Sequence, residues 1–156
     1  MKRSTLVKIH VTATVVATLT IAFFFTSSLA AEINGSPLLI RKVKEVILFS
    51  LTLLLLAMPA LGITGNKLAG NSQHPTVLAK RKRMRFVLGN GMILITLACF
   101  LYYRAHHHPL DHIFLGAQVA ELILGLANLT LLGLNIRSGF QLSGRWKKRG
   151  PLRAGR

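Results

Sequence analysis

Acidic residues and cysteines are scarce in this sequence. Of its 156 residues only four are Asp or Glu and one is Cys, whereas twenty are Lys or Arg. The single Cys99 excludes an internal disulfide. The chain has no paired carboxylates at catalytic spacing, no phosphate-binding Gly-rich loop, and no nucleophile beside a base. These absences argue against an enzyme.

The sequence also has too little polar surface for a soluble domain of its size. Hydrophobic side chains make up 51% of it, and the mean hydropathy is +0.49. Four apolar runs each approach the roughly 20 residues that a helix needs to cross about 30 Å of hydrocarbon; they are 11–31, 46–63, 86–103 and 113–136. We therefore predict an all-α integral membrane protein.

The connections between these runs predict how the helices are arranged. Short outer turns make consecutive helices antiparallel neighbours, which gives a four-helix bundle with up-down-up-down topology over residues 1–137. The expected parts are helices at about 6–31, 39–63, 86–104 and 111–136, a cytoplasmic loop at 64–85 and a basic cytoplasmic tail at 138–156.

The net charge of +16 would suggest nucleic-acid binding in a soluble chain. Here a four-span arrangement places sixteen of the twenty basic residues on one side, so membrane orientation explains the charge and no nucleic-acid partner is predicted. By the positive-inside rule both termini are cytoplasmic, in a cell membrane that we expect to be a bacterial inner membrane. The basic segments would contact anionic lipid headgroups.

The amino-terminal run also has features of a signal peptide, with small residues up to Ala30 as a cleavage site. Its apolar core is about 21 residues long, against the usual 7 to 15, which favours a first helix that is retained. Cleavage would leave three spans.

Polar residues recur inside the fourth run, in QVAELILGLANLTLLGLN. At helical spacing, Gln118, Glu121, Asn128 and Asn135 fall within about a 100° arc, so they are predicted to face the bundle. Amides on one face ordinarily serve helix packing in membranes through interhelical hydrogen bonds. Packing is therefore the leading interpretation of the two asparagines.

Glu121 differs from these amides because a carboxylate within the membrane costs about 2.5 to 3.5 kcal/mol and should be neutralised or paired. Lys44 lies at a matching depth in the second helix, so we predict a Glu121–Lys44 pair. One interpretation is a structural contact that fixes which helices pack together. The other is a proton or ion site.

His10, near the cytoplasmic end of the first helix, is a candidate axial ligand for a single haem b. Partners at the same depth would be His74, Met58 or Met92. In this respect the chain resembles four-helix membrane b cytochromes, which commonly place facing histidines inside two spans. Four turns further along the helix stand Phe23, Phe24 and Phe25, and no apolar run holds a second histidine, which argues against two haems.

The outer-loop sequence HHHPLDH contains ligand types suited to Zn, Cu or Ni. Consecutive residues on a flexible loop rarely converge on one ion, and Pro109 interrupts helical spacing between His108 and His112. A solvated loop without a metal is the prediction.

Three interpretations of function follow. The leading one is a small non-enzymatic multi-pass protein that acts through intramembrane contacts with other membrane proteins, lipids or a second copy of itself. An alternative is a single-haem or quinone-linked redox module at His10. The second alternative is a proton or small-solute transport unit that uses Glu121 and Lys44.

Overall fold

The computed structural model describes residues 2–143, and these form four long helices. The helices are α1 (Arg3–Asn34), α2 (Pro37–Ala69), α3 (Pro75–His107) and α4 (His112–Leu142). All four are long and apolar enough to cross a membrane, as the sequence predicts. The chain therefore fits a small membrane protein built only from helices within its described part.

The helices begin and end at residues suited to their positions. Ser36, His74 and Asp111 cap the amino termini of α2, α3 and α4 through their side chains, and α2 and α3 have proline in the first turn. Gly35 ends α1 with φ of 71°, a left-handed conformation that glycine adopts without steric cost. Connections of only a few residues result.

The observed helices are longer than the predicted ones, most clearly between α2 and α3. The predicted loop 64–85 is reduced to 70–74, because α2 continues to Ala69 and α3 already begins at Pro75. Likewise α4 extends to Leu142, into the predicted tail 138–156. An apolar run marks only the part of a helix that is suited to the lipid interior. Backbone hydrogen bonding continues into the polar residues beyond the run, so the helix is longer than the run. Residues 144–156 of that tail lie outside the described residues.

The four helices pack in a ring in which α1 and α3 each contact α2 and α4. Within residues 2–143, no Cα atoms of the diagonal pair α2 and α4 approach within 8 Å. Small side chains of α1, including Ala13 and Ala17, pack against Ala57 and Leu61 of α2. Large apolar side chains such as Leu19, Phe49 and Ile123 are exposed on the outside, where they would contact lipid.

The two ends of the bundle differ in charge. At one end His10 contacts Thr64 and Arg83 contacts Ser138, so the start of α1 meets the end of α2 and the start of α3 meets the end of α4. We call this the basic end, because the KRKRMR segment lies there. The opposite acidic end holds all four acidic residues of the sequence, Glu32, Glu45, Asp111 and Glu121.

Candidate functional site

A buried ion pair joins α2 to α4 near the acidic end. Lys44 Nζ lies 2.5 Å from Glu121 Oε2, and the two side chains are 2% and 11% exposed. Because the backbones of these diagonal helices are far apart, the long lysine side chain crosses the centre of the bundle. The structure thus brings together the two charged residues that the sequence predicts to pair.

Ser28 of α1 and Gln118 of α4 complete this polar cluster. Lys44 Nζ donates to Ser28 Oγ at 3.1 Å, and Ser28 Oγ in turn donates to Glu121 Oε2 at 3.3 Å. Gln118 Nε2 donates to the same carboxylate oxygen at 3.3 Å. A second carboxylate, Glu32, also interacts electrostatically with Lys44. Three helices therefore meet at one buried carboxylate.

The acidic end is closed beyond this cluster by packed apolar side chains. They come from all four helices and are at most 5% exposed; they are Ala31, Ile40, Leu101, Ala105 and Phe114. Each of Ser28, Lys44 and Gln118 lies about one helical turn from a member of this group. The ion pair is consequently shielded from the solvent at that end.

From this cluster towards the basic end, the inward face of α4 carries a row of largely buried polar residues, which we call the polar stripe. It consists of Gln118, Glu121, Asn128, Asn135 and Ser138. Asn128 is 1% exposed and Asn135 is 5% exposed. Asn128 Oδ1 and both polar side-chain atoms of Asn135 have no hydrogen-bond partner among the described residues. The predicted inward face is present, but its two asparagines make no interhelical hydrogen bond there.

A central cavity of about 210 Å³ lies beside the polar stripe and is lined by all four helices. Ser28 and Glu121 line it nearer the acidic end, and Asn128 lines it further along α4. The remaining lining is apolar and includes Phe25, which approaches α4 at Gly125. A side-chain methyl at Gly125 would lie 3.6 Å from Phe25, so the absence of a side chain helps to keep this space open.

The basic-end cavity is larger, about 680 Å³, and contains His10 and Met58. His10 Nδ1 lies 2.9 Å from Thr64 Oγ1, a contact that sequence reasoning missed. Met58 also lines the central cavity, where Met92 is found. His74 lines neither cavity. Its Nδ1 accepts a hydrogen bond from the backbone N–H of Thr76 at the start of α3. The candidate haem ligands therefore do not gather in one place, although His10 and Met58 share a cavity.

Two histidines of the predicted outer loop, His106 and His107, instead belong to the last turn of α3, where each lies against a tyrosine one turn earlier. The ring of His106 is 4.3 Å from that of Tyr102, and the ring of His107 is 4.8 Å from that of Tyr103. Among residues 2–143, no three His, Cys, Asp or Glu side chains are grouped as a metal site would require.

Sequence reasoning missed Ser28 as a partner of the ion pair. A hydroxyl on an apolar helix ordinarily bonds to its own backbone, as Ser27 does with the carbonyl of Phe23 at 2.7 Å. The available signal was position, because Ser28 follows the buried residues Ala17 and Ile21 at helical spacing. No protein-family model matches this chain, and comparisons with curated proteins and with solved structures find no similar protein.

Proposed function

We propose that this chain is a small, non-enzymatic multi-pass membrane protein that conducts protons or a small polar solute along the polar stripe of α4. Lys44 and Glu121 control passage at the acidic end. The basic end faces the cytoplasm, in a cell membrane of bacterial type. The observation that carries the proposal is the row of buried polar residues on α4, in which two asparagines have unpaired side-chain atoms.

The length of the polar stripe supports a path across the membrane. Gln118 and Ser138 are twenty positions apart, which at 1.5 Å per residue corresponds to about 30 Å. This matches the thickness of the hydrocarbon core. Polar groups are therefore spaced over the whole apolar depth, although Gly125 and Leu132 leave gaps between them. A contact at one depth would need only one or two such residues.

The unpaired amides favour conduction over packing alone. A buried polar atom without a partner costs about 1 to 3 kcal/mol, so amides retained only for packing should bond to a neighbouring helix. Asn128 instead lines the central cavity, and a rotation of its amide would turn the buried Oδ1 towards that space, where water or a polar solute could bond to it. The interpretation that the bundle acts only through helix or partner contacts has less support for this reason.

The ion pair provides the point of control. In the observed arrangement the Glu121 carboxylate is paired with Lys44. The packed apolar side chains at the acidic end close the proposed path on that side. Passage requires Lys44 to move away from Glu121, after which the carboxylate can accept a proton or a cation that arrives along the polar stripe. Ser28 can retain Lys44 or Glu121 in turn, because its hydroxyl both donates and accepts.

Substitution of Glu121 tests this proposal. We expect Glu121→Gln to reduce proton uptake by proteoliposomes, driven by a valinomycin-induced potassium potential, to the rate of protein-free liposomes. The matched control is Glu45→Gln, which removes a partly exposed carboxylate in a pair with Lys42 at 3.7 Å and should leave uptake unchanged. Asn128→Leu, which keeps the ion pair, should also reduce uptake. Undiminished uptake in the Glu121 variant, or equal losses in both Glu variants, would contradict the proposal.

One observation favours the redox alternative, in which His10 carries a single haem b or contacts a quinone. His10 and Met58 line the same cavity, and the Nε2 atom of His10 remains available when Nδ1 contacts Thr64. An absorption spectrum of the purified protein distinguishes the haem version from transport, because only haem gives a Soret band that shifts on reduction.

A further inference from the structure

The basic-end cavity combines an apolar interior with positive charge. It lies mainly between the second half of α2 and the first half of α3. Lys80, Arg81 and Arg85 are among its lining residues, and none of its lining residues is acidic. Since every Asp and Glu of the sequence belongs to the acidic end, no acidic side chain among the described residues neutralises these three cations.

The three cations lie on one face of α3 that also carries apolar side chains. Val77, Met84 and Leu88 share the cavity with them, within an arc of about 140° at helical spacing. The other two cations of KRKRMR point elsewhere. Arg83 donates to Ser138 Oγ at 3.0 Å, and Lys82 is exposed on the outside of the bundle. Only Lys80, Arg81 and Arg85 of the five cations in this segment therefore line the cavity.

Arg81 is held in place by one hydrogen bond and has another N–H group without a partner among the described residues. One of its terminal nitrogens, Nη2, donates to the Gly70 carbonyl at 2.7 Å, which holds the guanidinium against the end of α2. Its Nε is buried and has no partner among the described residues. A small shift of the guanidinium towards the cavity would let this donor form a charge-assisted hydrogen bond with an anionic oxygen.

We propose that the basic-end cavity binds an anionic phospholipid, with the phosphate of its headgroup near Lys80, Arg81 and Arg85. Phosphate, like carboxylate, has a geometry that suits the forked donors of a guanidinium. The apolar lining favours a lipid over free phosphate, because Ile63 and Leu88 line the cavity and are also exposed on the membrane face. An acyl chain can leave the cavity there and enter the bilayer.

Lipid binding to the full-length protein in neutral detergent tests the proposal. Native mass spectrometry would compare phosphatidylglycerol with phosphatidylcholine of the same acyl chains. We expect tighter binding of phosphatidylglycerol, and about fivefold weaker binding in Lys80→Gln, the change that corresponds to roughly 1 kcal/mol per cation near the membrane surface. Lys82→Gln is the matched control, with the same charge removed two positions away, and should bind as the unchanged protein does.

Arg85→Gln is a second test variant for the case that Lys80→Gln does not fold. Arg85 is exposed, so its loss should weaken binding without unfolding the bundle. Four results would overturn the proposal: equal binding of both lipids, full competition by inorganic phosphate alone at the same concentration, equal losses in the Lys80 and Lys82 variants, or a Soret band showing haem in this cavity. The flux measurement does not depend on these outcomes, so the two proposals can fail separately.

Discussion

At the scale of single residues, Asp111 joins the end of α3 to the start of α4 through both of its carboxylate oxygens. Oδ2 accepts from Arg104 Nη2 at 2.5 Å, and Oδ1 accepts from the backbone N–H of Phe114 at 3.0 Å. The Arg104 hydrogen bond is the main reason why the pKa of Asp111 falls from 3.8 to about 2. The charged carboxylate therefore stabilises the folded state.

This lowered pKa predicts a pH dependence with a definite sign. The stabilisation by Asp111 is fully present above its ordinary pKa of 3.8 and is lost as the pH falls through about 2. Asp111→Asn keeps an N-cap but removes the charge. We expect the difference in thermal midpoint between the two proteins to shrink as the pH is lowered from about 5 to about 2. A constant difference over this range would show that the charge of Asp111 does not act as inferred.

The pairing of Lys44 with Glu121 could be predicted from the sequence, because distance from the end of the helix is enough to identify the partner. Lys44 and Glu121 are charged groups at similar distances from the same end, and few other charges are available there. The Thr64 partner of His10 could not be predicted in this way, because the sequence predicts that α2 ends at 63 and that Thr64 lies in a loop. Ser28 was missed because several hydroxyls of α1 could have served equally well.

At the scale of helices, the ion pair links two elements that are not neighbours in the ring. Removing one partner of a buried pair typically costs about 3 to 5 kcal/mol, because the other charge stays buried alone. We expect Lys44→Glu and Glu121→Lys each to lower the free energy of unfolding by this order, and the double variant to recover much of the loss. Gln118 can assist the exchanged pair, because its Oε1 has no partner among the described residues and can accept from a lysine.

Reversible unfolding in detergent micelles would provide these free energies as a double-mutant cycle. The control exchanges the exposed Lys42 and the partly exposed Glu45, which lie 3.7 Å apart on α2 and for which changes of about 0.5 kcal/mol or less are expected. If the double variant with exchanged Lys44 and Glu121 loses the sum of both single effects, the two side chains do not stabilise each other across the bundle.

Helix number and order were predictable because an apolar run long enough to cross a membrane is expected to form a helix. Helix ends were not, since the basic segment of α3 has no apolar run to mark it. Its start depends instead on local chemistry, with His74 as the cap and Pro75 in the first turn. This extension of α3 positions Lys80 and Arg81 on a rigid helix, where they line a cavity that a flexible loop could not define.

At the scale of the whole molecule, the separation of charge predicts orientation. At the acidic end the four acidic residues are matched by four basic ones, Arg41, Lys42, Lys44 and Arg104, whereas the basic end carries an excess of basic residues and no acidic side chain. The positive-inside rule therefore predicts that the basic end is cytoplasmic. The flux and lipid proposals depend on this orientation for their direction. The carboxylate of Glu121 would then lie near the outer surface, and an anionic lipid in the basic-end cavity would come from the inner leaflet.

Two serines in equivalent positions can measure this orientation. Ser36 lies in the connection at the acidic end and Ser72 in the connection at the basic end, and each is half-buried. With Cys99→Ala as background, we expect a membrane-impermeant maleimide to label Ser36→Cys in intact cells, and to label Ser72→Cys only after the membrane is opened. The reverse pattern would place the basic end outside. The contacts within the bundle would be unchanged, but Glu121 would then face the cytoplasm, and inward proton flow would reach the polar stripe before the ion pair.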